Sequence, residues 1–530
     1  MRIVSPVRRL PALLLAALSS TPAVLTAQAT RPATAKPPMV VGTVPAAMSL
    51  VTQADLKRDL YTMAGLDMRG REAGTLDEMR ASVWTADQLK KIGVAPAGTD
   101  GSYFQWFNMR RTRVSVASTH IYLAGRTLAL WSDIAVNGNA QFDVRGRTVF
   151  AGDGSDTTIN VFDKVAVATL AAPARAVAKD GTNSYEYRYT TAAMTNTANR
   201  LARRGASAVI LVADSMGDKA FAAVSALRSR GAYDVEGGMP RNGPVDPRAP
   251  RPPDPARSVA PPAQPPVFLV RSSMLETLRK GNDSAHLRVR TEVFQSPSTN
   301  IVGVIRGTDP KLRDEYVLYS SHQDHDGVRF DIDGDSVWSG ADDNGTVSVA
   351  LLAIARAMVK QPPKRSVLFV YHGAEERGLL GSRYHAMQPV VPLANIVAVL
   401  NGDMIGRNHP DSASILGVQP PHRNSTELVE MALRANELTG KFKLDSIWDR
   451  PTHPEGWYFR SDHLPYARLN VPALMYSTNL HADYHTPRDK PERIDYAKLT
   501  RMTQWMYLTG WMVANNPKRP AVDPGFKLER

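Results

Sequence analysis

Hydrophobic residues recur every three or four positions between Thr52 and Ile92, at Leu56, Leu60 and Met63, then at Met79, Val83, Trp84, Leu89 and Ile92. That period predicts two helices, joined by the polar, glycine-bounded stretch 67–75 and closed by Gly93 with Pro96 just beyond. Over residues 102–150 the pattern shortens to alternation, in Tyr103-Phe104-Gln105-Trp106-Phe107, Val114-Ser115-Val116 and His120-Ile121-Tyr122-Leu123, which predicts strands. A strand at 164–168, a helix around 195–204 and a strand at 208–212 then make a small α/β unit. It is interrupted at 240–266, where 11 of 27 residues are proline. Such a stretch can neither pair into a sheet nor continue a helix, so it is expected as an exposed loop. Residues 266–270 resume the unit and a helix over 273–280 closes it.

From residue 298 the alternation becomes regular. Strands are predicted at 300–305, 316–320, 366–371, 396–400 and 471–477, and helices at 346–358, 381–386, 427–438 and 499–514. The fold class expected is α/β: a mixed, largely parallel central sheet covered by helices on both faces, with an inserted smaller α/β domain. In such sheets ligands collect beyond the carboxyl ends of the strands. The division expected is a catalytic domain from 49–130 and 291–516, an insert at 131–290, and a tail at 517–530. Ahead of these lie a signal peptide at 1–29 and a disordered leader at 30–48, rich in Ala, Pro and Thr.

The signal peptide is read from Arg8-Arg9, an apolar core from Leu10 to Leu18 and the A-x-A pattern Ala27-Gln28-Ala29. Its core is too short to span a bilayer, which takes about 20 apolar residues. No later segment is long and apolar enough to do so. The chain is therefore expected to be exported to the periplasm or the medium, without stable membrane insertion. The 530 residues carry a formal charge of +13 but no nucleic-acid-binding motif, so a generally basic surface is expected and no nucleic-acid partner. There is no cysteine. That removes disulfides, a thiol nucleophile and thiolate metal sites, and leaves His, Asp and Glu to hold any metal.

Such residues fall at the predicted strand ends. His322-Gln323-Asp324 follows the strand at 316–320, and a metal-bound imidazole needs an acceptor behind it, a part Asp324 could help to play. In Gly340-Ala341-Asp342-Asp343-Asn344-Gly345, Asp343 is a candidate bridge between two cations, while the same composition also suits a helix N-cap. Glu375-Glu376 follow the strand at 366–371. Adjacent carboxylates diverge, so one can bind metal while the other faces a water, although a solvated acidic turn paired with Arg377 is the plainer reading. Asp403 ends another strand. His485 is preceded by Tyr484, whose hydroxyl could meet the oxyanion of a tetrahedral intermediate. Each piece is modest alone; their order and common placement make a metal-assisted hydrolase the reading. A calcium loop at Asp331, Asp333 and Asp335 lacks the turn glycine, since Ser336 stands there. Ser461-Asp462-His463, being adjacent, cannot converge as a serine triad.

The run His322-Gln-Asp324, Gly340 to Gly345, Glu375-Glu-Arg-Gly-Leu-Leu-Gly-Ser382, Asp403 and Tyr484-His485-Thr486 resembles the co-catalytic di-zinc exopeptidases. These include secreted bacterial leucyl aminopeptidases, aminopeptidase Y and glutamate carboxypeptidases. The helical pair with Gly70-Arg71 resembles that family's opening segment, and the insert resembles a protease-associated domain. The resemblance implies two zinc ions per chain. His322 and Asp403 would be terminal ligands of one, Glu376 and His485 of the other, and Asp343 would bridge them. Glu375 would be the general base acting on a bridging water, Asp324 a partner behind the ligands, and Tyr484 an oxyanion contact. His325 and His372 are set aside as local residues and not ligands. Gly345-Thr346-Val347 departs from the family's usual Ala-Ser-Gly or Gly-Ser-Gly, which changes helix entry but no ligand. Peptides are the implied substrates, and an aminopeptidase the first expectation, because a free amine binds naturally beside a carboxylate-rich metal pair. Alternatives are a carboxypeptidase or dipeptidase using Arg460 or Arg407 to clamp a carboxylate, an inactive binding protein, and a glutaminyl cyclase-like acyltransferase.

Overall fold

The computed structural model describes residues 44–177, 184–243 and 264–528. The expected signal peptide, most of the expected leader and most of the proline-rich stretch lie outside the described residues. The end of the expected leader does not match what is described: Ala46–Leu50 form a 3-10 turn, Ala47 is buried, and its amide donates to Gln361 Oε1 at 3.2 Å. Ala47 is small and apolar enough to fit against the helix that Gln361 caps, which composition alone did not reveal.

The two N-terminal helices run Gln53–Met63 and Leu76–Ile92, each opened by a threonine whose side chain accepts a backbone amide, Thr52 from Asp55 and Thr75 from Asp77. A ten-stranded mixed sheet is the frame of the catalytic part. Its centre is four parallel strands, ordered Ser366–His372, Tyr316–His322, Ile396–Gly402 and Ala473–Ser477. All four are buried along their length, as expected of parallel strands covered on both faces. Helix Val347–Lys360 buries Val349, Leu351, Leu352 and Ile354, each contributing about 1.5–3 kcal/mol. Helix Tyr496–Asn515 buries most of its length beside it. The expected strand at 300–305 is the end of a much longer one, Thr291–Ile305, which pairs antiparallel with Phe104–Val114. The tail is docked: Asp523 accepts both the amide and the hydroxyl of Thr426 at the start of helix Thr426–Leu438.

A second, eight-stranded sheet takes its strands from residues 120–289. The expected insert boundary at 131 therefore falls inside it, because His120–Leu123 pairs with Ser284–Val289. Helices Tyr185–Ala202 and Ser215–Ser229 cover one face through Met194, Leu201, Phe221 and Val224. From this unit Ala232–Val235 crosses to pair with Phe104–Val114 in the first sheet. No helix among the described residues is long and apolar enough to cross a membrane.

The stretch between the first two helices is tied to the loop after strand Tyr316–His322 by the amides of His325 and Gly327, which donate to the carbonyls of Arg71 and Gly70, and by one buried side chain. Arg71 is fully buried, and its guanidinium donates to the carbonyls of Gln323 at 2.7 Å, Met63 at 2.8 Å, Ser339 at 2.7 Å and Gly340 at 2.9 Å. Gly70 beside it has φ +70°, and a Cβ there would lie 2.3 Å from the Trp338 carbonyl oxygen. Arg71→Met should strand the three buried carbonyls of Gln323, Met63 and Ser339, since that of Gly340 keeps the Gly345 amide, and lower stability by at least about 3 kcal/mol. Denaturant unfolding measures this, and a loss under about 1 kcal/mol would show that water replaces the guanidinium.

Candidate metal centre

The parallel strands deliver the predicted residues to one place. His322 is the last residue of Tyr316–His322, Asp403 follows Ile396–Gly402, and Glu375–Arg377 form a turn just beyond Ser366–His372. Asp343 lies in the irregular turn Ala341–Thr346 that leads into helix Val347–Lys360, and its peptide bond to Asn344 is cis. His485 comes from the loop after Ala473–Ser477. Ala374, Met404 and His485 all have positive φ, 55°, 60° and 49°. Non-glycine residues in that region cost about 1–3 kcal/mol each and cluster at functional sites.

Asp343 sits between two histidines. Its Oδ1 is 3.1 Å from His322 Nε2, and its Oδ2 is 3.1 Å from His485 Nε2. His322 Nε2 also lies 3.9 Å from Asp403 Oδ1 and 3.9 Å from Glu375 Oε2. His485 Nε2 lies 3.1 Å from Glu376 Oε1. Two groups of donor atoms thus share one carboxylate, with Asp403 on one side and Glu376 on the other. Glu376 Oε1 is buried without a hydrogen-bond donor aligned to it. A buried carboxylate oxygen in that state is costly unless a cation or a proton meets it. Nitrogen and oxygen donors without sulfur fit zinc, and those that converge form two groups, His322, Glu375 and Asp403 in one and His325, Asp343, Glu376 and His485 in the other. His322, Asp343 and Asp403 would hold one; Asp343, Glu376 and His485 would hold the other.

Glu375 keeps 10% of its side chain exposed, and burial, with Glu376, Asp462 and Asp403 nearby, pushes its carboxyl well above the usual range against the pull of His322. Asp324 lies behind the imidazole: His322 Nδ1 is 3.1 Å from its carbonyl oxygen and 3.9 Å from its carboxylate Oδ1. The carboxylate accepts the amides of Glu375 at 2.9 Å and Glu376 at 3.2 Å, aiming both glutamates. Tyr484 stacks on His485 at 3.9 Å between centroids, and its hydroxyl accepts from Arg460 at 3.1 Å.

The two loop aspartates point apart. Asp342 Oδ1 accepts the Gly406 amide at 2.7 Å, and Oδ2 faces His481 Nε2 at 3.3 Å. The amides of both aspartates are held by Asp489, at 3.0 Å and 3.1 Å. Gly340 opens the turn at φ +58°, where a Cβ would come within 2.3 Å of the His325 ring. The plainer readings of these pieces do not match the geometry. The side chains of Glu375 and Glu376 are only 10% and 6% exposed, and Arg377 pairs with Glu72 at 3.0 Å. Asp333 and Asp335 are paired with Arg488 and Lys490.

His325, set aside in the sequence, belongs with the group. It is fully buried, with Nδ1 2.8 Å from Glu376 Oε1 and 3.9 Å from Asp343 Oδ2. His372 lies in another buried cluster, with Asn300 and Tyr466. Asp489 and Asp326 were not read at all, since nothing near them in the sequence marks a partner far along the chain. For His325 the signal was its spacing, three residues after a strand-terminal histidine.

Residues 300–509 match the profile of peptidase family M28. Among curated relatives, the aminopeptidase YwaD of Bacillus subtilis is 26% identical over 232 residues, 42% of this chain and 46% of its own length. A leupeptin-inactivating enzyme of Streptomyces exfoliatus is 43% identical over 81 residues, 14% of this chain and 18% of its own. The chain spans about half or less of the length of these relatives. A solved aminopeptidase from Aneurinibacillus sp. strain AM-1 superposes with TM-score 0.52 at 16% identity, over 90% of this chain and 97% of its own. A zinc aminopeptidase from Bacillus subtilis gives TM-score 0.52 at 17%, over 92% of this chain and 100% of its own. These two share the fold.

Beneath the centre, Glu78 is fully buried, accepting the Ser298 hydroxyl at 2.6 Å and the Gly74 amide at 2.6 Å, and burial pushes its carboxyl up to about 8. A carboxyl raised by folding contributes stability in full below its unfolded value near 4.5, and that contribution is lost as pH rises toward about 8. Glu78→Gln keeps the neutral form at every pH. Its stability relative to the native chain should rise between pH 5 and 8, by up to about 1.4 kcal/mol per pH unit. Denaturant unfolding across that range, at matched metal content, tests it; parallel curves would refute it.

Proposed function

We propose, on the premise that residues 300–509 form a peptidase family M28 catalytic domain, that the chain is a zinc-dependent aminopeptidase using two zinc ions. The observation that carries this is Asp343, whose two oxygens face His322 and His485 separately. When bound, zinc supplies a Lewis acid for the scissile carbonyl and acidifies the attacking water. Glu375, 3.9 Å from His322 Nε2, is placed to take the proton of that water. Having taken it, the same carboxyl can hand it to the leaving amine. Asp324 keeps Glu375 and Glu376 aimed through their amides. Tyr484, with its hydroxyl oriented by Arg460, meets the oxyanion.

An aminopeptidase is favoured over a carboxypeptidase because the two candidate clamps are already engaged. Arg407 pairs with Asp483 at 2.7 Å, and Arg460 with Glu455 at 2.9 Å. The leader motif at 8–29 supports export, and the second sheet, with its own core, supports an inserted protease-associated-like unit bordering the cleft.

The test is zinc analysis of the purified chain together with a panel of peptides. Free-amine peptide anilides should be cleaved and N-acylated dipeptides spared; the reverse would sink the aminopeptidase reading, and pyroglutamate formation without cleavage would favour an acyltransferase. Glu375→Ala should keep both zinc ions and lose about 10²–10⁴ in kcat. Full turnover in that variant would remove Glu375 from its role. Asp343→Ala should empty both metal positions, whereas Asp342→Ala should leave at least one filled.

A further inference from the structure

The loop between strands Tyr316–His322 and Gly327–Ile332 carries a second buried carboxylate, Asp326, which no step above uses. Its oxygens face opposite ways. Oδ1 meets three guanidinium groups: Arg329 in close contact, Arg230 at 3.3 Å and Arg377 at 3.6 Å. Oδ2 meets Nδ1 of His485 at 3.4 Å. The other ring nitrogen of His485, Nε2, is the one lying 3.1 Å from both Asp343 Oδ2 and Glu376 Oε1. The imidazole is therefore held between the donor group in front and one acceptor behind.

We propose that Asp326 is a positioning residue for His485, holding the tautomer with hydrogen on Nδ1 so that Nε2 is presented to the second metal. Part of its anchorage comes from Arg230 of the inserted unit. This rests on His485 being a metal ligand, as read above. A neutral imidazole has two tautomers, and only an acceptor at one nitrogen decides which nitrogen keeps its lone pair. Tyr484 stacks on the ring and His325 meets it edge-on at 5.2 Å, which restrains its plane, but neither contact selects a nitrogen.

The three guanidinium groups offset the cost of burying this carboxylate. Alone it would cost several kcal/mol or take up a proton. Arg329 and Arg377 come from the catalytic part, but Arg230 caps helix Ser215–Ser229 of the insert. Two residues on, the insert is registered against the catalytic sheet: Ala232–Val235 pairs with Phe104–Val114, and Arg377 lies over the Tyr233 ring at 5.6 Å. Arg230 is thus delivered by strand pairing and not by a free surface.

The experiment is zinc binding by the full chain, resolved into its two steps by competition with a chromophoric chelator. His485→Ala, Asp326→Ala, Asp326→Asn and Arg230→Met are compared with the native chain. Asp326→Ala should weaken the same step that His485→Ala weakens, by about 10–100-fold, and leave the other within about threefold. Asp326→Asn has a single acceptor oxygen, which the three guanidinium groups claim, so its NH2 turns toward Nδ1 and the same step should be weakened at least as much as in Asp326→Ala. Arg230→Met should weaken the same step by a smaller factor. Unchanged binding in Asp326→Ala, or equal weakening of both steps, would overturn the positioning role, since general loosening would not choose one step. An unchanged second step in Arg230→Met would remove the insert's share. Two unchanged steps in His485→Ala would overturn the ligand reading itself, and the proposal with it. Should Asp326→Ala fail to fold, Asp326→Asn and Arg230→Met carry the test.

Discussion

Five carboxylates are gathered at one end of the central sheet: Asp324, Glu375, Glu376 and Asp403 just beyond three neighbouring strands, and Asp343 in the turn Ala341–Thr346. Two like charges 4 Å apart at an effective dielectric of about 20 repel by about 4 kcal/mol. Nearly every other feature of this end of the sheet answers that repulsion. His322 and His485 are wedged among the carboxylates. Asp324 spends its two oxygens on backbone amides. Arg71 lies close behind, and Asp324 and Asp343 hold its guanidinium charged against a burial that lowers it to about 10. What remains is a pair of positions where donor atoms converge, and a divalent cation at each would cancel the excess charge. The folded chain is in this sense a scaffold carrying a charge deficit that metal makes good.

The backbone bears part of the cost. Ala374, Met404 and His485 adopt left-handed conformations directly before, after or at the residues that converge. An ordinary strand-to-helix turn would leave Glu375 and Asp403 pointing along the chain, not across the sheet. The rigid elements around them enforce these angles: Gly381 and Gly402 are packed so closely that a Cβ would strike Asn300 Oδ1 at 2.3 Å and Val347 at 2.6 Å. Val347 occupies the position where the resembled family usually has glycine, and its neighbour Gly402 supplies the room instead.

The sequence made the central sheet and the converging residues legible because parallel strands buried on both faces read as short apolar runs, and the chemistry sits at their ends. His322, Glu375-Glu376 and Asp403 needed no knowledge of tertiary structure beyond that rule. The long strand Thr291–Ile305 was visible only in its last third. Its earlier half alternates toward solvent and contains Pro297, so its partner Phe104–Val114 could not be identified by pattern. Helix Ser215–Ser229 went unread because Gly217, Ala220 and Ala222 dilute its period. The supporting charges were beyond reach for a different reason. Arg71 bonds to carbonyls about 250 residues away, Asp489 to amides about 147 away, and Asp326 to an arginine 96 away. Local pattern carries no record of such pairs, and their carboxylates and guanidinium groups look like any solvated loop.

That contrast bears on how the two sheets depend on each other. The residues proposed to touch metal all come from residues 322–485, but those that hold them include Arg71 from the N-terminal part and Arg230 from the second unit. Arg71 fixes the two loops bearing His325 and Asp343; Arg230 reaches Asp326 behind His485; Tyr233 lies under Arg377, which shares Asp326. A unit that served only to narrow a cleft would meet the catalytic part at its rim. This one sends a strand into the main sheet and a guanidinium to the carboxylate behind a candidate ligand, so the two sheets are joined by backbone pairing and by buried charge together.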